Sequence, residues 1–390
     1  MPDTSAISPV TVSLGGGLIL DRDDFAMSPG EAIQLQNFEP SLQGGYRRLS
    51  GSTKFNSEQV DGDNKILGLK IFNTGLLAAA GNVVKFGTST GFGSSIATRT
   101  SAGRYKFDDF NFSNTLKVIM VDDVNQAATY DGTTYTLLNA TGAPADPASV
   151  QIFRDHAFFA GMSATPQELV FSAPFNEADF SAANGAGSIK VDTTIVEIKS
   201  FRDSLYIFGT DRIYRLSGSS IANFVVEPVT RVLGCSDGFS VQEIGGDLLF
   251  LSPDGLRTIA ATTRIGDIEL GTITKPIQQR IQDIGFDNLT SLIVRNKSQY
   301  RLFYPTTAGA AADSRGILAT LKRTSQGLGY EFADLKGMKP SATDTGFIGN
   351  TEYIMEGGFD GFVRIQEVGD TFDGENVVAV YRSPDLSLGD

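Results

Sequence analysis

Apolar and polar positions alternate with a period of two through most of this chain, in short runs broken by Gly, Asp and Asn. Residues 200–218, SFRDSLYIFGTDRIYRLSG, show the unit in full: a strand, a polar turn, an apolar strand, a Gly/Asp turn and a third strand. Successive side chains on a strand point to opposite faces, so such runs bounded by turn residues predict strands joined as hairpins. The same unit returns at 69–89, 109–132, 150–174, 243–261, 292–323 and 345–368.

The first turns of these units fall at Thr74, Ser113, Asp155, Asp203, Gly246, Lys297 and Asn350, at intervals of 39 to 53 residues. That spacing matches the roughly 40–50 residue period of propeller blades and exceeds that of helical solenoids, about 34. Candidate fourth strands lie between units, at 95–100, 134–138, 188–192, 223–229 and 330–335. Sheets this narrow cannot hide an apolar face alone, and radial stacking leaves only short protected edges.

The expected fold is therefore all-β: a β-propeller of about six to eight blades over residues 61–368. An N-terminal arm (1–60) precedes it and is a possible source of a closing strand. A C-terminal extension (369–390) is expected to leave the propeller along one strand, 376–382. Glycine clusters and few anchoring apolar residues predict an arm without order of its own. Helix is scarce. In TITKPIQQRIQDIG, 272–285, Ile277, Ile281 and Ile284 share a face, Thr274 is a candidate cap, Pro276 sits in the first turn and Gly285 is the stop.

Composition adds limits. Of 390 residues 41% are hydrophobic and 20% charged, enough for a large core. Forty-three glycines suit many turns. Forty-five acidic against 32 basic residues leave −13, which repels phosphate backbones and anionic lipid. Cys235 is the single cysteine, so no internal disulfide forms. The first residues lack a basic n-region and an apolar h-region, and no run approaches the roughly 18 apolar residues of a membrane helix. Synthesis in a cytoplasm, with no membrane partner, is the expectation.

Catalytic residue types are few. His156, the single histidine, is a candidate general base without a visible partner, and a turn or interface role suits it better. Cys235, in VLGCSDG, reads more readily as a small buried residue than as a nucleophile. The runs DRDD (21–24), DGDN (61–64) and DDVN (122–125) resemble pieces of calcium loops, but none completes that spacing, and turn aspartates explain them. Propeller glycosidases use two or three converging carboxylates, yet every blade here offers a turn Asp and no pair stands out. The 32 basic residues are spread thinly. No phosphate-cradle motif is present in the glycine runs, and the aromatic-basic alternation of YIFGTDRIYRL is that of a strand with two faces.

The run GGLILDRDDFAMSPGEAIQLQNFEPSLQGGYRRLSG resembles the start of virion proteins of tailed bacteriophages, with matches at Pro29, Gly30, Ala32, Asn37, Gly44, Arg47, Arg48 and Gly51. In RVLGCSDGFSVQEIGGDLLFLSPDGLRTI, Gly234, Phe250, Ser252 and Gly255 are similar to a mid-propeller segment of the same proteins. The end, VYRSPDLSLGD, looks like the strand that leaves the propeller in tail nozzle proteins of short-tailed phages. Nozzle proteins usually continue into a lower domain. On this resemblance that domain is expected to be absent or supplied by another chain, and a smaller head-closure or tail-accessory propeller is expected to fit the length better.

The resemblance implies a structural virion protein of the tail, in a homo-oligomeric ring, usually a hexamer. Its implied partners are the adaptor or portal-side protein and tail-fibre or distal tail proteins, with DNA in transient, sequence-independent passage. Six copies at −13 would line a channel that repels DNA, with Asp and Glu on the bore and apolar blade edges between subunits. No catalytic, cofactor or metal residues are expected. The alternatives are a carbohydrate-acting propeller enzyme, such as a depolymerase or glycosidase, and a monomeric propeller binding module.

Overall fold

Each sequence unit folds as one antiparallel sheet, and seven such blades follow one another in the computed structural model, which describes residues 11–100, 103–260, 272–284, 288–305, 314–324 and 327–385. Blade 1 comprises Ile66–Phe72, Gly75–Ala80, Val83–Thr88 and Gly91–Thr98. Blade 2 comprises Lys106–Phe110, Lys117–Val121, Ala128–Tyr130 and Tyr135–Leu137, and blade 3 Ser149–Phe153, His156–Ala160, Glu168–Phe171 and Gly187–Lys190. Blade 4 is Ile195–Phe201, Ser204–Gly209, Ile213–Ser217 and Val225–Thr230. Blade 5 has Gln242–Ile244, Asp247–Ser252 and Gly255–Thr258 among the described residues. Blade 6 is Thr290–Val294, Gln299–Pro305, Ser314–Thr324 and Gly327–Lys336. Blade 7 begins with Pro340–Ile348, Thr351–Gly358 and Val363–Gln366.

The tight first turns explain the register. Arg154 and Asp155 both hold positive φ, 47° and 65°, as do Gly245 and Gly246, at 60° and 77°. Two such residues make the turn whose twist matches the flanking strands. Second strands lie between neighbouring blades and bury both faces, so Leu76–Ala80 and Ala157–Ala160 are fully enclosed. Their period-two alternation is lost for that reason, and they read as continuous apolar runs.

The arm is built into the propeller, contrary to the expectation of a loose leader. Leu18, Ala32, Leu35 and Leu49 are buried in the core of blade 6. The Leu18 N–H donates to the Phe332 carbonyl (2.8 Å), and the Tyr46 hydroxyl donates to the Gly30 carbonyl (2.7 Å) while accepting the Gly17 N–H (3.0 Å). Gln34–Gln36 joins the outer edge of blade 6, parallel to it at Asp334. The hairpin Phe38–Pro40/Tyr46–Arg48 follows. Ser52–Lys54 then becomes the fourth strand of blade 7, antiparallel to Val363–Gln366, and closes the ring.

The C-terminal extension also returns to the propeller. The strand expected at 376–382 divides into Glu375–Asn376 and Val380–Arg382. Val377 is buried between them, and the Val378 carbonyl accepts the Asn37 side-chain amide (2.9 Å). Val380–Arg382 lies antiparallel to Gln34–Gln36. The helix expected at 272–285 forms as a 3-10 turn, Lys275–Ile277, and an α-turn, Gln278–Gln282, with Ile277, Ile281 and Ile284 buried. Thr274 does not cap it through its side chain; its hydroxyl accepts the Leu256 N–H of blade 5 (3.2 Å). Gly285 lies outside the described residues.

An ionic cluster joins the arm to blades 6 and 7. Arg301, 1% exposed on the second strand of blade 6, pairs with Glu367 at the end of blade 7 and reaches Glu39 of the arm at 3.6 Å. Gln366 and Gln299 each accept from its guanidinium at 2.9 Å. Lys297 also pairs with both carboxylates, at 2.7 Å to Glu39. A buried charge is tolerable only when paired, and removing one partner of such a set typically costs about 3–5 kcal/mol. Arg301→Leu is therefore expected to lower unfolding stability by about 3–5 kcal/mol in a urea titration. A loss below about 1 kcal/mol would show that Lys297 alone satisfies the two carboxylates.

Candidate functional site

First strands surround the propeller axis, and polar side chains on them tie one blade to the next. Asp344 of blade 7 accepts the Ile71 N–H of blade 1 at 2.6 Å. Lys70 of blade 1 pairs with Asp109 of blade 2 at 2.6 Å. Asp108 accepts the Ile152 N–H of blade 3 at 2.6 Å and the Gln151 side-chain amide. Gln151 in turn accepts the Ser200 N–H of blade 4 (3.2 Å). Farther round, the Gln242 amide donates to the Ser291 carbonyl (3.1 Å), and the Thr343 hydroxyl donates to the same carbonyl (2.8 Å).

Other contacts cross the axis. Lys106 of blade 2 pairs with Glu197 of blade 4. Arg104, just before blade 2, donates to the Leu289 carbonyl just before blade 6 and lies 3.6 Å from the ring centre of Phe239. A cross-link between non-adjacent blades leaves no room there for a nucleic-acid duplex. The propeller's own axis is thus closed by its side chains.

The charges along the axis are strongly perturbed. Burial pushes the Asp108 carboxyl above the usual range, although the Ile152 N–H, Lys199 and Lys70 oppose it. Asp344 is raised by burial in the same way. Burial works against the Lys70 ammonium, but Asp344 and Asp109 outweigh it and hold it above its ordinary value. Both buried carboxyls accept backbone N–H groups, so this chemistry fixes blade order.

The candidates from the sequence take no part in these axial contacts. His156 is 2% exposed, with Nδ1 2.6 Å from the Ser172 carbonyl and Phe171 and Phe224 around its ring. Cys235 is buried in the core between blades 4 and 5, where burial pushes its thiol up to about 12. Asp23 caps a short turn through the Phe25 N–H (3.3 Å). Asp61 accepts from Asn64 (2.9 Å), and buried Asp122 holds Arg99 and the Asn125 N–H (2.8 Å).

Two clefts were not foreseen. One, of 540 Å³ beside blade 7, is lined by Glu356, Phe359, Asp360, Arg364, Phe372 and Asp373. Burial raises the Glu356 carboxyl, and Gln366 donates to it (2.6 Å). Arg364 bridges Asp360 (2.6 Å) and Asp373 (2.8 Å). The other, of 320 Å³ on the edge of blade 6, gathers Arg280, Arg315, Lys336 and Arg382 around Asp334. Basic residues that look scattered along the chain are brought together by strand register. The one available signal was that Arg315 and Lys336 stand near the ends of neighbouring strands.

These sheets define a seven-bladed β-propeller. No family model and no curated protein matches the sequence. Among solved structures, the chain is similar to the computationally designed Ika8 protein, with 10% identity and a TM-score of 0.43 over 80% of this chain and 99% of that one. It is also similar to the extracellular domain of a one-component system from B. thetaiotaomicron, with 11% identity and a TM-score of 0.49, covering 81% of this chain and 39% of that one. A third is Hsv2 of Kluyveromyces lactis, with 9% identity and a TM-score of 0.39 over 70% and 98%. These likenesses concern the fold alone.

Two measurements follow from the perturbed groups. A carboxyl raised above its unfolded value of 3.8 holds its proton more tightly when folded, so stability is lost as pH rises through the raised value. Asp108→Asn should match the parent near pH 3 and gain on it in thermal unfolding as pH climbs from about 4 toward neutrality. An advantage that shrank with pH would refute the assignment. For Cys235, a thiol reagent at about pH 8 should fail to react with the native protein and react fully after denaturation.

Proposed function

We propose that this propeller is a structural virion protein of a tailed bacteriophage, one subunit of a ring in the tail nozzle or head-to-tail connector. One observation carries the reading: of the residues shared with such virion proteins, Gly30, Ala32, Asn37 and Gly51 fasten the arm. Ala32 is buried against the core of blade 6. Asn37, at φ 52°, donates to the Lys336 and Val378 carbonyls and accepts the Lys336 N–H, each at 2.9 Å. A Cβ at Gly51 would run into the Thr371 carbonyl. Arg47 and Arg48 are left exposed on the hairpin.

The closed axis is compatible with this role, because DNA would pass through the bore the ring surrounds and not through each propeller. Exposed apolar residues on outer strands and turns, Leu137, Val225, Phe175 and Ile221, suit contacts between blade edges. The acidic balance suits a channel that does not retain DNA.

Light scattering on the full chain, alone and with the head-to-tail adaptor of the same virion, tests the proposal. A closed ring, formed alone or only beside the adaptor, is the expected result. A species that stays monomeric with the adaptor at high concentration, or one that hydrolyses polysaccharide, would overturn it.

A further inference from the structure

The blade 6 cleft concentrates positive charge on a strongly acidic protein. Arg315 and Lys336 are direct cross-strand partners, both exposed, at one end of the outer strands. Like charges set opposite one another destabilise a sheet. Arg382 is also exposed, opposite Gln34 two strands farther out. Among the described residues none of these three forms an ion pair. The carboxylate in the cleft, Asp334, is already held by Arg280 at 3.0 Å, and Asp283 stands near that arginine.

The backbone beneath is rigid. Asn37 clamps the Lys336 peptide from both sides (2.9 Å each), and Gln36 pairs with Asp334. Three cations that form no salt bridge among the described residues, Arg315 acting on Asp334 only from a distance, thus line one fixed concavity of 320 Å³, at the small end of the roughly 300–1,000 Å³ typical of ligand sites.

We propose that this cleft binds a diphosphate-like dianion: two adjacent phosphate groups held by Arg315, Lys336 and Arg382. A single carboxylate would leave most of that charge unmatched, whereas paired phosphates offer several acceptor oxygens to guanidinium forks and an ammonium. The overall −13 does not forbid it, because charges farther off than the screening length of about 8 Å contribute little. The same chemistry is carried by a free diphosphate or by neighbouring phosphates of a nucleic-acid strand.

Titration calorimetry with pyrophosphate at about physiological ionic strength, where that screening holds, is the test, on the full chain and on R315Q/K336Q. The double variant should weaken binding at least about tenfold, while Lys65→Gln, an exposed lysine elsewhere, should leave it unchanged. Unfolding midpoints establish that the variants fold, and Arg382→Gln alone gives an independent reading. A short single-stranded oligonucleotide that binds and is lost with the same variant identifies a strand backbone as the source. Binding of pyrophosphate alone identifies a free diphosphate. No binding, or equal binding by parent and R315Q/K336Q, would overturn the proposal.

Discussion

Closure of this circular array depends on the arm, whose strand Ser52–Lys54 completes blade 7, and a buried charge cluster ties that arm to blades 6 and 7. Arg301 and Lys297 come from blade 6, Glu367 from the end of blade 7, and Glu39 from the arm. Each charge would be intolerable in that interior alone, so the cluster forms only when all three parts of the chain have arrived. Hydrophobic burial supplies the larger favourable energy, but it is not directional. The ions determine which arm strand lies where. Ser52–Lys54 can then complete blade 7 in its observed register.

The axis repeats this logic on a smaller scale. Adjacent blades could slide over one another if only apolar faces met. Asp344 on the Ile71 N–H and Asp108 on the Ile152 N–H set the height of each first strand against the next. Burial penalises both carboxylates, as their raised proton affinities show. The fold accepts that penalty where it fixes register, and the cross-axis contacts of Arg104 and Lys106 then fill the space left at the centre.

Much of this was legible because blades are local. Every sequence unit became a blade, and the separate fourth strands appear at Gly91–Thr98, Tyr135–Leu137, Gly187–Lys190, Val225–Thr230 and Gly327–Lys336. Ile277, Ile281 and Ile284 were correctly placed on a buried helical face. What failed was long-range. The closing strand expected from the arm is Ser52–Lys54, but the rest of residues 11–54 looked loose because their partners, Phe332, Lys336 and Val378, stand about 300 positions away. The extension past residue 369 was expected to depart for the same reason, since Gln34–Gln36 is its partner. No local pattern could indicate either pairing. His156 and Cys235 were weighed mainly as packing residues, and burial with few polar neighbours gives them that role.

Charge shows most sharply the difference between composition and placement. The net charge of −13 describes the protein as a whole, and screening confines the reach of each exposed charge to about 8 Å. It says nothing about an individual concavity. Arg315 and Lys336, 21 positions apart in the chain, are opposite partners on two long strands, and Arg382 arrives from the chain's far end by pairing with the arm strand Gln34–Gln36. The basic cleft is therefore a consequence of closure. An arm that failed to dock would remove Gln34–Gln36 from between Asp334 and Arg382, and the three cations would no longer face a common space.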